Sequence, residues 1–117
     1  MIVVRNVFRL KFGKAREMRQ LWEEWKSMSP EVGALRAYRT LVDMTGESYV
    51  FILENEFDDL ASYEQGQAAL FNTPTWREFY SKVTPLVDSG YREIFQVIDV
   101  GTADTMTRAA SGATAIA

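Results

Sequence analysis

The sequence predicts an α+β domain in which helices cover one face of a four-stranded antiparallel sheet. A segment of alternating apolar residues opens the chain, and an amphipathic helical segment follows it. The third observation is a hairpin at residues 34–57, ALRAYRTLVDMTGESYVFILENEF. Its second strand, Tyr49 to Leu53, is apolar on both faces, which indicates a sheet buried from two directions. Since one helix layer covers only one face, we expect a second copy of the chain to cover the other.

The first two elements follow from their periodicity. Apolar residues alternate from Ile2 to Phe12, which predicts the first strand. Gly13 breaks this pattern, and a helix follows that should end before Pro30, because a residue that precedes proline is pushed out of the α region. The apolar residues of this helix recur at helical spacing. They are Ala15, Met18, Leu21, Trp22, Trp25 and Met28.

The hairpin supplies strands two and three. Residues 45–47 form its turn, where Gly46 can adopt a positive φ, and the two strands must then pair antiparallel. A second helix begins after Asp58 or Asp59, since either carboxylate can accept hydrogen bonds from the free N–H groups of a helix start. This helix should run to about Asn72.

A further helix and a final strand complete the predicted fold. Thr73 is placed to cap the helix that Pro74 begins, and Pro85 ends or kinks it. The fourth strand is predicted at Tyr91 to Val100. The order is then β-α-β-β-α-β with a split second helix, and right-handed crossovers give the ferredoxin-like arrangement. We expect one domain at residues 1–100 and a flexible tail at 101–117, which is small, polar and without periodicity.

Composition excludes several classes of function. A net charge of −3 gives no basic field for nucleic acid, so we expect no such partner. The chain has no cysteine and no histidine, which removes disulfides, thiolate nucleophiles and the commonest metal ligand and general base. We therefore expect no metal and no cofactor. Because no apolar run approaches the length of a membrane span, we expect no membrane partner and a cytoplasmic location.

The sheet face away from the helices should be apolar enough to need a cover. Burial of such a face against its own copy removes apolar surface from water at about 25 cal/mol per Å². We therefore expect a homodimer that forms through this face. The residues assigned to it are Val3, Val7, Val50, Ile52, Ile94 and Ile98.

Four motifs resemble those of a known superfamily. They are a Lys-Phe-Gly-Lys turn after the first strand, a Leu-Trp-x-x-Trp stripe, the passage FILENEFDDLASYE, and NTPTWREFYSKVTPLV before the last strand. From Ile2 to Val100 the chain resembles the dimeric α+β barrel superfamily, and within it the small antibiotic-biosynthesis-monooxygenase-like and NIPSNAP-like domains. The resemblance implies the fold more than a function, because such folds host many unrelated activities.

Two branches of that superfamily imply different chemistry. The haem-degrading branch resembles this chain at Asn6 and at an aromatic residue that matches Tyr63, but it ligates iron through a histidine that this chain lacks. The resemblance therefore disfavours a haem oxygenase. The quinone-forming monooxygenase branch uses Asn, Trp, Tyr and Arg side chains without a metal, and this composition permits that chemistry.

Six residues are candidates for lining a ligand pocket. Asn6 interrupts the apolar row of the first strand, so a ligand, a water or a neighbouring group must satisfy its amide. Arg36 and Tyr38 share one face of strand two and can orient a carboxylate or phenolate, or simply pack in the dimer. The helices add Tyr63, Trp76 and Tyr80, whose first role is core packing.

Glu54 and Glu56 share a face of strand three, where pairing with Arg5 or Arg9 is favoured over a role as catalytic base. Two functions remain open. One is a cofactor-independent oxygenase or isomerase-like enzyme acting on a small aromatic or polyketide-like molecule, in which Asn6, Tyr80 and Arg36 hold developing negative charge. The other is a non-catalytic domain that binds a small apolar or aromatic molecule, or serves in assembly. Haem binding through Tyr or Met is a third and less favoured function.

Overall fold

A computed structural model describes residues 1–28 and 38–101 of the 117. Its four strands form one antiparallel sheet in the order β2-β3-β1-β4, which confirms the ferredoxin-like arrangement. The start of the predicted second strand and residues 102–117 of the predicted tail lie outside the described part. The elements are β1 (Ile2–Leu10), α1 (Ala15–Met28), β2 (Tyr38–Val42), β3 (Val50–Phe57), α2 (Leu60–Phe71), α3 (Pro74–Val83), a 3-10 turn (Thr84–Leu86) and β4 (Val87–Gln96).

The core lies between the sheet and helices α1 and α3. Met18 of α1 and Phe51 of β3 are each only 1% exposed, so the helix layer and the central strands meet without a gap there. Two tryptophans of α1 join this contact because helical spacing places them on the same side as Met18. The buried cluster consists of Leu10, Met18, Trp22, Trp25, Phe51, Phe79, Val83 and Leu86.

The predicted helix starts are confirmed by their caps. The side chain of Asp59 accepts a hydrogen bond from the backbone N–H of Ser62 at 2.8 Å, and this bond lowers the pKa of Asp59. Its stabilising effect is therefore present above the pKa of an unfolded aspartate and is lost as the pH falls through the lowered pKa. At α3, Thr73 Oγ1 accepts from the backbone N–H of Trp76 at 3.3 Å, and Pro74 is the first helical residue.

The hairpin turn is confirmed, with a small shift of the strand that follows. Gly46 has a φ of +85°, the left-handed conformation that glycine adopts without strain. Tyr49 also has a positive φ, of 60°, so β3 begins at Val50 and not at Tyr49. The first strand likewise ends at Leu10, two residues before the prediction. Phe12 lies in the following turn with 88% of its surface exposed.

The predicted fourth strand is wrong by four residues. It spans Val87–Gln96, because the 3-10 turn leads directly into the sheet and the N–H of Lys11 donates to Leu86 O at 2.8 Å. Polar residues such as Asp88 and Ser89 are accommodated because β4 is an edge strand of the sheet. The shift also changes the face of the sheet to which two residues were assigned. Ile94 pairs with Val4 on the helix side of the sheet, and Ile98 lies beyond the strand, 95% exposed, so neither belongs to the opposite face.

None of the helices in the described ranges is both long enough and apolar enough to cross a membrane.

The cap of α3 can be tested by removing one oxygen atom. Thr73 Oγ1 accepts from the N–H of Trp76 and donates to Leu70 O at 2.7 Å, so Thr73→Ala removes both hydrogen bonds. We expect a loss of about 1 kcal/mol in the free energy of unfolding, measured by urea denaturation with an unchanged slope. Thr73→Ser keeps the hydroxyl and should lose little. Equal stability of the alanine variant and the natural protein would contradict this role of Thr73.

Candidate functional site

A cavity of about 1040 Å³ lies between the helix side of the sheet and the helices. Strands β1, β3 and β4 form its floor, and residues of α1, α2 and α3 form its roof. Its volume is at the upper end of the usual range for small-molecule sites, roughly 300–1,000 Å³. A cavity of this size can hold a ligand larger than a single ring.

Aromatic rings line the roof of the cavity. Trp25 stacks on Phe79 with ring centroids 4.7 Å apart and an interplanar angle of 22°. Trp76 contacts Trp25 at 5.8 Å, Phe71 at 5.3 Å and Tyr80 at 6.1 Å between ring centroids. These contacts hold the rings in place by packing, so the wall is preformed and presents flat apolar surface.

Two polar side chains meet on the floor. Asn6 of β1 lies opposite Arg92 of β4 in the sheet register, and Arg92 Nε donates a hydrogen bond to Asn6 Oδ1 at 2.9 Å. The guanidinium carbon also lies 5.6 Å from the ring centroid of Tyr63, within the range of a cation–π contact. Both Asn6 and Arg92 line the cavity. The predicted need of the Asn6 amide for a partner is therefore met in part by a side chain of the next strand.

The structure brings three of the six predicted pocket residues to this cavity. Asn6, Trp76 and Tyr80 line it, and Tyr80 is 58% exposed at its surface. Tyr63 of α2 contacts Arg92 through its ring, and its buried hydroxyl has no hydrogen-bond partner in the described part of the chain. Tyr38 lies apart from the cavity lining, with its ring edge toward Trp22 at 6.4 Å.

Arg36, the remaining candidate, falls outside the described residues. No cluster of three or more Asp or Glu side chains suited to a metal ion occurs within residues 1–28 and 38–101.

Solved structures share this fold over most of the chain. A NIPSNAP domain protein from Burkholderia xenovorans superposes with a TM-score of 0.76 at 14% identity, covering 87% of this chain and 99% of that one. A NIPSNAP family protein from Agrobacterium tumefaciens gives a TM-score of 0.77 at 18% identity, over 86% and 91% of the two chains. An antibiotic biosynthesis monooxygenase gives 0.65 at 15% identity, over 85% and 100%.

The fold is the one shared by NIPSNAP domains and antibiotic biosynthesis monooxygenases. This confirms the fold that the sequence motifs indicate, and at these identities the likeness concerns the fold alone. The sequence itself matches no protein-family model and no curated protein. The chemistry of the cavity must therefore be argued from its own residues.

Sequence reasoning missed Arg92, which supplies the cation on the cavity floor. The predicted strand contained this residue, but its side could not be assigned without the register of β4 against β1. Gly90 is paired with Phe8 in this register, and a Cβ on Gly90 would lie only 3.1 Å from Cδ1 of Phe8. Residues two apart in a strand share one face, so a glycine in close contact with the helix side of the sheet was the available sign that Arg92 lies on that side.

The opposite face of the sheet carries a row of charges across all four strands. Glu54 is the centre of this row, with a side chain only 14% exposed. Arg5 Nε lies 3.3 Å from Glu54 Oε2, and Arg39 Nε donates to Glu54 Oε1 at 3.0 Å. Arg5 Nη1 also lies 3.6 Å from Glu93 Oε2. The predicted pairing of Glu54 with Arg5 is confirmed, and Arg9 instead pairs with Glu47 at 3.0 Å.

Proposed function

We propose that this protein binds a small apolar or aromatic molecule in the cavity between its sheet and its helices. The cavity of about 1040 Å³ with its aromatic roof carries this proposal. Ligand sites are concave, mostly apolar and largely preformed, with a few polar groups that fix the orientation of the ligand. The cavity has this composition, because aromatic and aliphatic residues make up much of its lining and the polar groups include the Arg92–Asn6 pair on the floor.

The exposed aromatic surface supports the same conclusion. Phe71 is 45% exposed and Tyr80 58% exposed, and both line the cavity. A ligand against these rings would remove apolar surface from water, at about 25 cal/mol per Å². Flat rings also favour a flat partner, because stacked aromatic pairs contribute more than the area that they bury. The proposed ligand therefore contains a ring system.

Two neighbouring alanines of α2 allow a matched test of the cavity. Ala69 lines the cavity and Ala68 does not, and both are exposed. Ala69→Trp should place an indole ring inside the cavity and weaken binding of a neutral fluorescent probe, N-phenyl-1-naphthylamine, by roughly tenfold or more. Ala68→Trp adds the same side chain outside and should change the Kd less than about twofold. Equal effects of the two substitutions, or no binding by the natural protein, would contradict the proposal.

We also propose that the protein is a homodimer that forms through the sheet face away from the helices. The register places an apolar row across this face, next to the charged row. The charged row contains two arginines and two glutamates that pair within one chain, so it can be covered without a net charge. Cover by a second copy would also remove an exposed apolar surface. The apolar row consists of Leu41, Ile52, Val7 and Tyr91.

A charge placed in the apolar row should prevent the dimer. Ile52→Lys puts an ammonium group where the proposed interface needs apolar surface, so we expect the mass of one chain in light scattering, against two chains for the natural protein. Gln65→Lys adds the same charge to an exposed position of α2 and should leave the dimer intact. A monomeric natural protein, or a dimeric lysine variant at position 52, would contradict the proposed interface.

A second candidate function is oxygenation of a phenolic aromatic compound without a metal. The fold shared with an antibiotic biosynthesis monooxygenase favours it, together with Asn, Trp, Tyr and Arg side chains at one cavity. The substrate anion would supply electrons to O₂, while Asn6, Arg92 and Tyr80 stabilise negative charge. In the test reaction the CH₂ carbon of an anthrone loses two hydrogens and gains one oxygen atom, and the second oxygen atom leaves as water.

A measurement of oxygen uptake distinguishes an oxygenase from a protein that only binds its ligand. With a panel of hydroxyanthrones, we expect the natural protein to consume one O₂ for each quinone formed, at a rate above that of the Ala69→Trp variant. The rate measured with the Ala69→Trp variant corrects for the spontaneous oxidation of anthrones. Equal rates for both proteins, with probe binding intact in the natural one, would leave ligand binding as the function.

A further inference from the structure

We infer that the ligand of the cavity is an organic anion whose acidic oxygen binds at Arg92 and Asn6. This inference rests on the proposed function and narrows it from apolar molecules to aromatic carboxylates and phenolates. The observation behind it is a set of hydrogen-bond donors on the floor of an aromatic cavity, without a matching carboxylate among the residues that the structure describes.

The hydrogen bond between the two side chains leaves donors facing the cavity. Asn6 Oδ1, the amide acceptor, already receives Arg92 Nε–H at 2.9 Å. The amide NH₂ group of Asn6 and both terminal amino groups of Arg92 have no hydrogen-bond partner in the part of the chain that the structure describes. A guanidinium holds its donors in a fixed plane, which matches the two oxygens of a carboxylate. A ligand oxygen that accepts hydrogen bonds therefore fits this point better than a donor does.

Among residues 1–28 and 38–101, no carboxylate forms an ion pair with Arg92. Glu93 and Glu54 lie on the opposite face of the sheet, where they pair with Arg5. Glu56 also lines the cavity, but it is opposite Val3 in the register, three residues from Asn6 and so about 10 Å away along the strand. Asp58 lies further toward the same end. The positive charge at the floor is thus available to a ligand.

A tyrosine ring of α2 holds the guanidinium of Arg92 in place. The ring centroid of Tyr63 lies 5.6 Å from Cζ of Arg92, and Tyr63 is itself 6% exposed. The Tyr63 ring packs edge-on against Phe57 of β3 at 5.2 Å, so the ring that contacts Arg92 is fixed by packing between helix and sheet. This contact restrains the guanidinium and so keeps its free donors in position for a ligand.

A pair of probes of nearly equal shape tests the inference. Fluorescence titrations of 2-anthracenecarboxylate and the neutral 2-anthracenecarboxamide at neutral pH compare charge while size is held constant. We expect the natural protein to bind the carboxylate roughly tenfold more tightly or better, the size of a hydrogen-bonded charge pair. Arg92→Gln should remove this preference by weakening the carboxylate alone, with the carboxamide changed less than about twofold.

Two further variants separate binding from folding. Asn6→Asp keeps the shape of the side chain and places a carboxylate beside Arg92, so it should also abolish the preference for the anionic probe while circular dichroism stays unchanged. Arg77→Gln removes the same charge from an exposed position of α3 outside the cavity lining and should keep the preference. If the Arg92–Asn6 pair served only to stabilise the fold, substitutions in it would weaken the binding of both probes equally.

The possible outcomes distinguish the inference from the proposed function. Binding of both probes with equal affinity, unaffected by Arg92→Gln, would overturn the anion site and leave the apolar cavity standing. Binding of neither probe to the natural protein would overturn both. A preference for the carboxylate that survives Arg92→Gln and is lost in Arg77→Gln would place the anion elsewhere and overturn the inference as well.

Discussion

The register of β4 against β1 determines which side chains reach the cavity. A shift by one residue would turn every side chain of β4 to the other face, because successive residues of a strand alternate. With Arg92 opposite Asn6, the cation lies under the helices and Glu93 lies with the charged row. A shift that paired Glu93 with Asn6 would instead put a carboxylate beside Asn6. The irregularity between Arg9 and Leu10, together with the 3-10 turn before β4, sets this register at one end of the strand.

The two faces of the sheet therefore carry different kinds of polar pair. On the outer face, the carboxylate of Glu54 lies within reach of two guanidinium groups, and Glu93 beside Arg5 balances the charges. On the helix face, the Arg92–Asn6 pair shares one hydrogen bond and keeps a net positive charge. The first arrangement suits the proposed dimer interface, because its charges are paired. The second suits the proposed site for an anionic molecule. The two proposed sites therefore lie on opposite faces of one sheet.

The order of elements could be predicted from the sequence, whereas the cavity could not. Helical spacing around Trp22, the cap at Thr73 and the turn at Gly46 are local signals, so the sheet order and the helix starts follow from them. The cavity depends on a non-local register, and the polar β4 gives little periodic signal because it is an edge strand. Asn6 was recognisable as a polar residue in an apolar row. Its partner Arg92 became visible only when the two strands were paired.

Two small residues of α2 help to keep the cavity open. Gly66 lies in the middle of this helix and lines the cavity, although glycine destabilises a helix by about 1 kcal/mol relative to alanine. A Cβ at Gly66 would meet Cε1 of Phe57 at 3.4 Å, an ordinary contact, so packing against the sheet does not require a glycine. Ala69, one turn further on, is also small and lines the cavity. Larger apolar side chains at these positions would occupy part of the cavity. Small residues here therefore keep the cavity open, which is the pattern expected if α2 covers the proposed ligand site.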